Sequence, residues 1–181
     1  MGASIGRGEL IRLATVVLVL ASTGACAQAP VERPVYIAPN APQDAPVMTV
    51  GDSTIRLSSL LEPCQKKAMA QYANARQRFQ QGLPARHSFF VTTRVQDAQG
   101  RVEQVFVVVD EVESGQVVGR LWSEIGTVEG YRHGQQLTVP ETEIIDWMIS
   151  RPDGTEEGNW AGRFMDAYQA TGHPPIGICD P

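Results

Sequence analysis

The chain is 181 residues long, 43% hydrophobic and 19% charged, with a net charge of −5 at pH 7. That length suits one small globular core. The acidic balance argues against a general nucleic-acid binder, which needs a basic face.

Arg7 and Arg12 flank the start of an uncharged apolar run, Leu13 to Ala21. The run is shorter than the roughly 20 residues a membrane span needs, and it fits the core of a signal peptide ending near residue 26. Thr23-Gly24-Ala25-Cys26 is similar to a bacterial lipobox, whose cysteine is acylated, whereas Ala25-Cys26-Ala27 fits ordinary cleavage. Lipidation of Cys26 is favoured, because three cysteines are awkward in an oxidising compartment. With lipid on Cys26, Cys64 and Cys179 are left to form a disulfide; two free thiols are the alternative. The expected location is the periplasm, with an N-terminal lipid anchor. No later stretch is apolar and long enough to span a membrane.

Residues 27–46 contain Pro30, Pro34, Pro39, Pro42 and Pro46 and are expected to be a semi-rigid spacer without a packed core, ahead of a single domain over 47–181. Val47 to Leu61 is ambiguous, a small hairpin about Gly51-Asp52-Ser53 or only a lead-in. Pro63 to Gln81 is the clearest helix: Ala68, Tyr72, Ala75 and Phe79 share one face, Pro63 suits a first turn, and Gly82 with Pro84 suits a stop.

Ser88 to Phe164 reads as β. Strands are expected over Phe89–Gln96, Val102–Val112, Val117–Trp122, Gln136–Val139, Glu143–Ser150 (whose Ile144, Ile145, Trp147 and Met148 would also suit one helical turn) and Asn159–Phe164, separated by turns such as Asp97-Ala98-Gln99-Gly100 and Pro152-Asp153-Gly154. Five to six short strands with one N-terminal helix packed on them make an α+β domain built on a strongly bent antiparallel sheet or small barrel.

Phe89 to Arg163 resembles the bacterial "domain of unknown function 2314" family, the YegJ-like exported proteins. The residues that carry the likeness are Ile145-Asp146-Trp147-Met148, Asp153-Gly154, Gly158 and Arg163, with Glu103, Gly119-Arg120-Leu121 and Gly134 upstream. Where the family has Glu-His-Phe/Met-Trp, this chain has Glu103-Gln104-Val105-Phe106, so any role of that histidine does not carry over. The tail from Gly172-His173 to Cys179 is similar to that of exported members. The resemblance implies a fold and a compartment, and no activity.

His87, His133 and His173 form no metal-ligand spacing, so no metal or cofactor is expected. No nucleophile elbow, phosphate loop or dinucleotide fingerprint is present. Glu141, Glu143, Asp146, Glu156 and Glu157 cluster in sequence and would suit acid–base chemistry if they converged, but a solvated acidic face is the simpler reading. Asp146 and Trp147 have two readings. In the structural one Asp146 accepts backbone N–H bonds, Trp147 fills the core, and Arg163 pairs with Asp146 or Asp153; in the functional one Trp147 and Arg163 floor a ligand groove. The expected function is a non-catalytic accessory domain that binds an envelope protein or peptide through a sheet edge or barrel mouth. The alternatives are an immunity-like or inhibitor protein and an envelope enzyme using the carboxylates.

Overall fold

The structure, a computed structural model, describes residues 1–2, 31–42 and 52–179, with the side chains of helix α1 from Leu57 onward. Residues 3–30, which hold Cys26 and most of the expected leader, and residues 43–51 and 180–181 lie outside the described residues.

Helix α1 runs over Asp52–Gln81, with Pro63 inside it. It starts well before the expected boundary, and Thr54 to Leu57 are helical rather than half of a hairpin. A proline inside a helix costs about 3 kcal/mol, but the apolar stripe continues unbroken through it. Leu61, Cys64, Ala68, Tyr72, Ala75 and Phe79, spaced three or four apart, are all buried. The N-terminal half of the stripe packs on a second helix, and that burial outweighs the local penalty.

Six strands follow: β1 Ser88–Gln96, β2 Val102–Glu113, β3 Gln116–Leu121, β4 Gln136–Pro140, β5 Asp146–Ser150 and β6 Glu156–Gly158. They form one antiparallel sheet in the order β4-β3-β2-β1-β5-β6. The sheet is strongly bent but stays open, so the barrel alternative is not realised. Its inner face (Phe89, Val91, Val107, Val109, Trp147 and Ile149 among others) closes on α1.

Residues 159–164 do not pair as a last strand. Gly158 and Asn159 take left-handed backbone, with φ of 79° and 52°, which turns the chain into helix α2, Trp160–Thr171. Ala161 and Phe164 of α2 join Leu61, Cys64 and Cys179 in a second apolar cluster. Cys64 and Cys179 are disulfide-bonded, which ties the C-terminal tail to α1.

Residues 31–42, expected to be part of a spacer, lie across one end of the sheet instead. The buried carboxylate of Asp110 explains why. It accepts the N–H of Arg33 at 3.0 Å and both Nε and Nη2 of Arg120, while the Arg33 carbonyl accepts Arg120 Nη2 at 2.7 Å. Further along, the Tyr36 N–H bonds Ser88 Oγ, Asn40 Nδ2 bonds the Asp153 carbonyl, and Val35 covers Phe90, Val108 and Met148 on the outer face. A buried aspartate left without these partners is costly, so the strap belongs to the fold.

Candidate functional site

The structure puts Asp146 and Trp147 in the interior, 1% and 2% exposed. Asp146 Oδ1 accepts the N–H of Trp147, and Oδ2 accepts the N–H of Ala161 at the start of α2, both at 2.7 Å. The Trp147 indole N–H donates to the Ala68 carbonyl of α1 at 2.8 Å. Gly158 is required beside it, because a Cβ there would lie 2.3 Å from the Trp147 carbonyl oxygen. Arg163 does not pair with Asp146 or Asp153: it lies in α2, exposed, its guanidinium 5.0 Å from the centre of the Trp160 ring. The three residues therefore share no groove, and Asp146 and Trp147 lock the sheet to both helices.

The clustered carboxylates diverge in space. Glu141 bonds Tyr72 and Arg76, Glu157 bonds Arg78 and Arg151, and Asp146 caps α2. Glu156, which accepts from Asn159 Nδ2, and Asp166 are both pushed up by burial. Among the described residues no group of three or more histidines, cysteines or carboxylates is placed to hold a metal ion.

The open region lies elsewhere, where the bent sheet fails to close. β5 pairs with β1 only as far as Thr92, so among the described residues no strand flanks the side of β1 away from β2 from Thr93 to Gln96. Alternate residues of a strand turn their N–H and C=O to opposite sides. The Asp97 N–H bonds Arg101 across the β1–β2 ladder, which assigns Thr93 and Val95 to β2 and turns Arg94 and Gln96 to the open side. The Gln96 carbonyl is taken by the Tyr131 hydroxyl at 3.1 Å. β4 is the edge strand at the far end of the sheet. Leu121 N–H to Gln135 O and Glu141 N–H to Gly115 O point odd-numbered residues inward, leaving Gln136 and Thr138 facing outward.

Curvature brings these two edges to opposite sides of one cleft of about 460 Å³, lined by Thr93–Gln96, Leu137–Val139, Val102, Tyr131 and Glu143. A second cavity of about 340 Å³ shares Thr93, Arg94 and Glu143 and ends at Thr142 and Ile145. The end wall is pinned to β1 by Thr93 Oγ1 to Glu143 O at 3.1 Å and Ile145 N–H to Thr92 O at 2.9 Å. Val95, Leu137 and Val139 make the cleft apolar inside, Val102 is 53% exposed, and Arg94 and Glu143 stand exposed at its mouth. The loop after β3 that carries Tyr131 is held by Glu103, whose carboxylate accepts the N–H groups of Gly126, Thr127 and Val128 and the Thr127 hydroxyl. Burial pushes the Glu103 carboxyl up, but these four donors outweigh it and hold it below the usual range.

The cleft residues carry no catalytic pattern that sequence reading can detect. No sequence signal marked it: the fifth strand was expected over Glu143–Ser150, as long as the first, and the structure starts it only at Asp146, after a 3-10 turn at Glu141–Glu143.

Residues 61–167 match the family described as an uncharacterized protein conserved in bacteria (DUF2314). The chain belongs to this DUF2314 family. No curated protein and no solved structure matches it. The DUF2314 match starts at Leu61, earlier than the β segment that carries the resemblance, and so takes in the buried face of α1. The strap 31–42 and Cys179 fall outside it, so the clasp on Asp110 and the disulfide involve residues beyond the family's matched span.

Proposed function

We propose that this chain is a non-catalytic interaction domain of the bacterial envelope, exported by residues 1–26, anchored by lipid on Cys26, and binding an extended segment of a partner protein in the cleft between β1 and β4. One observation carries the binding reading: two strand edges with outward backbone groups, at Arg94 and at Gln136 and Thr138, flank a single apolar-floored cleft. An extended peptide laid there gains main-chain hydrogen bonds from an edge, and its inward side chains meet Val95, Leu137 and Tyr131. The leader and the thiol left over once Cys64 and Cys179 pair support the compartment. An inhibitor or immunity-like protein is a special case of this reading. The carboxylates clustered in sequence bind separate partners, and Glu156 and Asp166, which do repel one another, line no part of the cleft.

The test is site-specific photo-crosslinking in cells, with a photoreactive residue at Thr138, at Val102, or at Met69 on α1 as a control. The expected result is one shared adduct from the two cleft positions and none from Met69. In a folded Thr138→Pro protein, which lacks an outward N–H on β4, the Val102 adduct disappears. An adduct pattern that ignores the cleft, or survives Thr138→Pro unchanged, overturns the binding reading. Mass spectrometry of the mature N-terminus tests the lipid on Cys26 separately.

A further inference from the structure

The position of the strap sets how the domain stands on its membrane. A free spacer over 27–46 would reach about 60 Å in an extended polyproline conformation. The chain is already clasped at Arg33, whose N–H and Nε bond the carboxylate and the carbonyl of Asp110 and whose carbonyl is held by Arg120. Six residues lie between Cys26 and that clasp, and the seven steps span at most about 25 Å whatever their conformation. From there the strap crosses the strand ends at Ser88 and at the Asp153 turn. Ser88 is the first residue of β1, and the β1 wall of the cleft begins at the other end of that strand, at Thr93–Gln96, whereas the β4 wall lies nearer the clasp, with Gln136 in register with Arg120. The two ends of β1 are about 26 Å apart.

We propose that the strap is an orienting clasp: it holds the Ser88–Asp110 end of the sheet toward the bilayer and points the far end of β1, which carries the Thr93–Gln96 wall of the cleft, away from it, open to a partner in the aqueous compartment. This rests on the lipid-anchored reading of Cys26. The short lead limits the domain's reach, and the buried Asp110 keeps the strap from peeling away to lengthen it.

The test uses the full chain, produced with export and lipidation and reconstituted in vesicles of phosphatidylethanolamine and phosphatidylglycerol carrying an acceptor-labelled lipid. A donor dye is attached through an azide-bearing residue at Glu111, at the strap end, or at Gln99, in the turn after β1, so the disulfide is untouched. Energy transfer to the membrane is expected to be about twofold or more greater from position 111 than from position 99, given their separation along the sheet. In the Arg33→Ala/Asp110→Asn protein, checked for folding by circular dichroism, the difference disappears. Equal transfer from both positions in lipid-bearing protein, or a difference that persists in the folded double variant, overturns the orientation alone. A mass spectrum without lipid on Cys26 overturns the anchored reading and the orientation with it, and leaves the cleft reading standing.

Discussion

The carboxylate of Asp146, at the start of β5, caps helix α2 by accepting the backbone N–H of Ala161 at 2.7 Å. Asn159, at the N-cap position itself, makes no side-chain cap bond, so a residue from another element satisfies the helix end. The same carboxylate holds Trp147 N–H, and Trp147 reaches α1 through its indole. The Asp146-Trp147 pair is therefore a three-way junction between sheet, α1 and α2.

Asp146→Ala is expected to destabilise the protein by about 2–4 kcal/mol, because it strands two buried N–H donors and removes a helix cap. Asp146→Asn keeps an acceptor and loses less. Urea denaturation gives the magnitudes, and amide exchange should rise first at residues 160–164. Unchanged exchange there in the alanine variant would show that the cap is dispensable.

Gly158→Ala is expected to cost about 2–3 kcal/mol, since the backbone sits at φ of 79° and the new methyl would meet the Trp147 carbonyl and ring. A thermal melt within error of the parent would contradict this packing.

The Cys64–Cys179 bridge joins residues 115 apart. The chain-entropy argument allows up to about 4.7 kcal/mol for a loop this long, and real bridges commonly deliver about 2–4 kcal/mol. The Cys64→Ser/Cys179→Ser protein should lose that much, and reductant should lower the denaturation midpoint of the parent but not of the variant.

The strap is expected to be stabilising. Asp110→Asn weakens the Arg33 and Arg120 contacts and should cost about 2–3 kcal/mol, below the value for a fully buried pair because Arg120 is partly exposed. Limited proteolysis should then cut within residues 31–42 before the domain. Resistance equal to the parent's would show that the strap holds without this aspartate.

Acid sensitivity follows from carboxyls of opposite shift. Glu103, held low by the loop N–H groups, and Glu157, held low by Arg78, have folded pKa values below the ordinary 4.5. Their contribution is present above that pH and is lost as pH falls through the folded values. Glu156, pushed up by burial, works the other way: its contribution is present below 4.5 and is lost as pH rises through its folded value. Glu103→Gln should therefore flatten the fall in Tm on acidification, whereas Glu156→Gln should raise Tm at neutral pH and leave it little changed in acid. The opposite ordering in a pH series of melts would refute these assignments.

Much of the scaffold was legible in the chain. The stripe Ala68–Tyr72–Ala75–Phe79 marked the helix, the turn residues marked five of the six strands, and cysteine parity pointed to the pairing of Cys64 with Cys179. Asn159 to Phe164, read as a last strand after the Pro152-Asp153-Gly154 turn, misled. The positive φ at Gly158 and Asn159 and the distant Asp146 cap make it a helix. Pro63 misled as a helix start, because the burial of Leu61 and Cys64 against α2 comes from residues a hundred positions away.

By itself the sequence determined what depends on neighbours in the chain: periodicity, turns and the acidic composition. Only the tertiary structure decided that a proline-rich segment straps the sheet, that the carboxylates scatter, and that the sheet stops short of closing between β1 and β4. These depend on which distant groups meet, such as Asp110 with Arg33, and on how far a twisted sheet curls. Neither is encoded in any short stretch of residues.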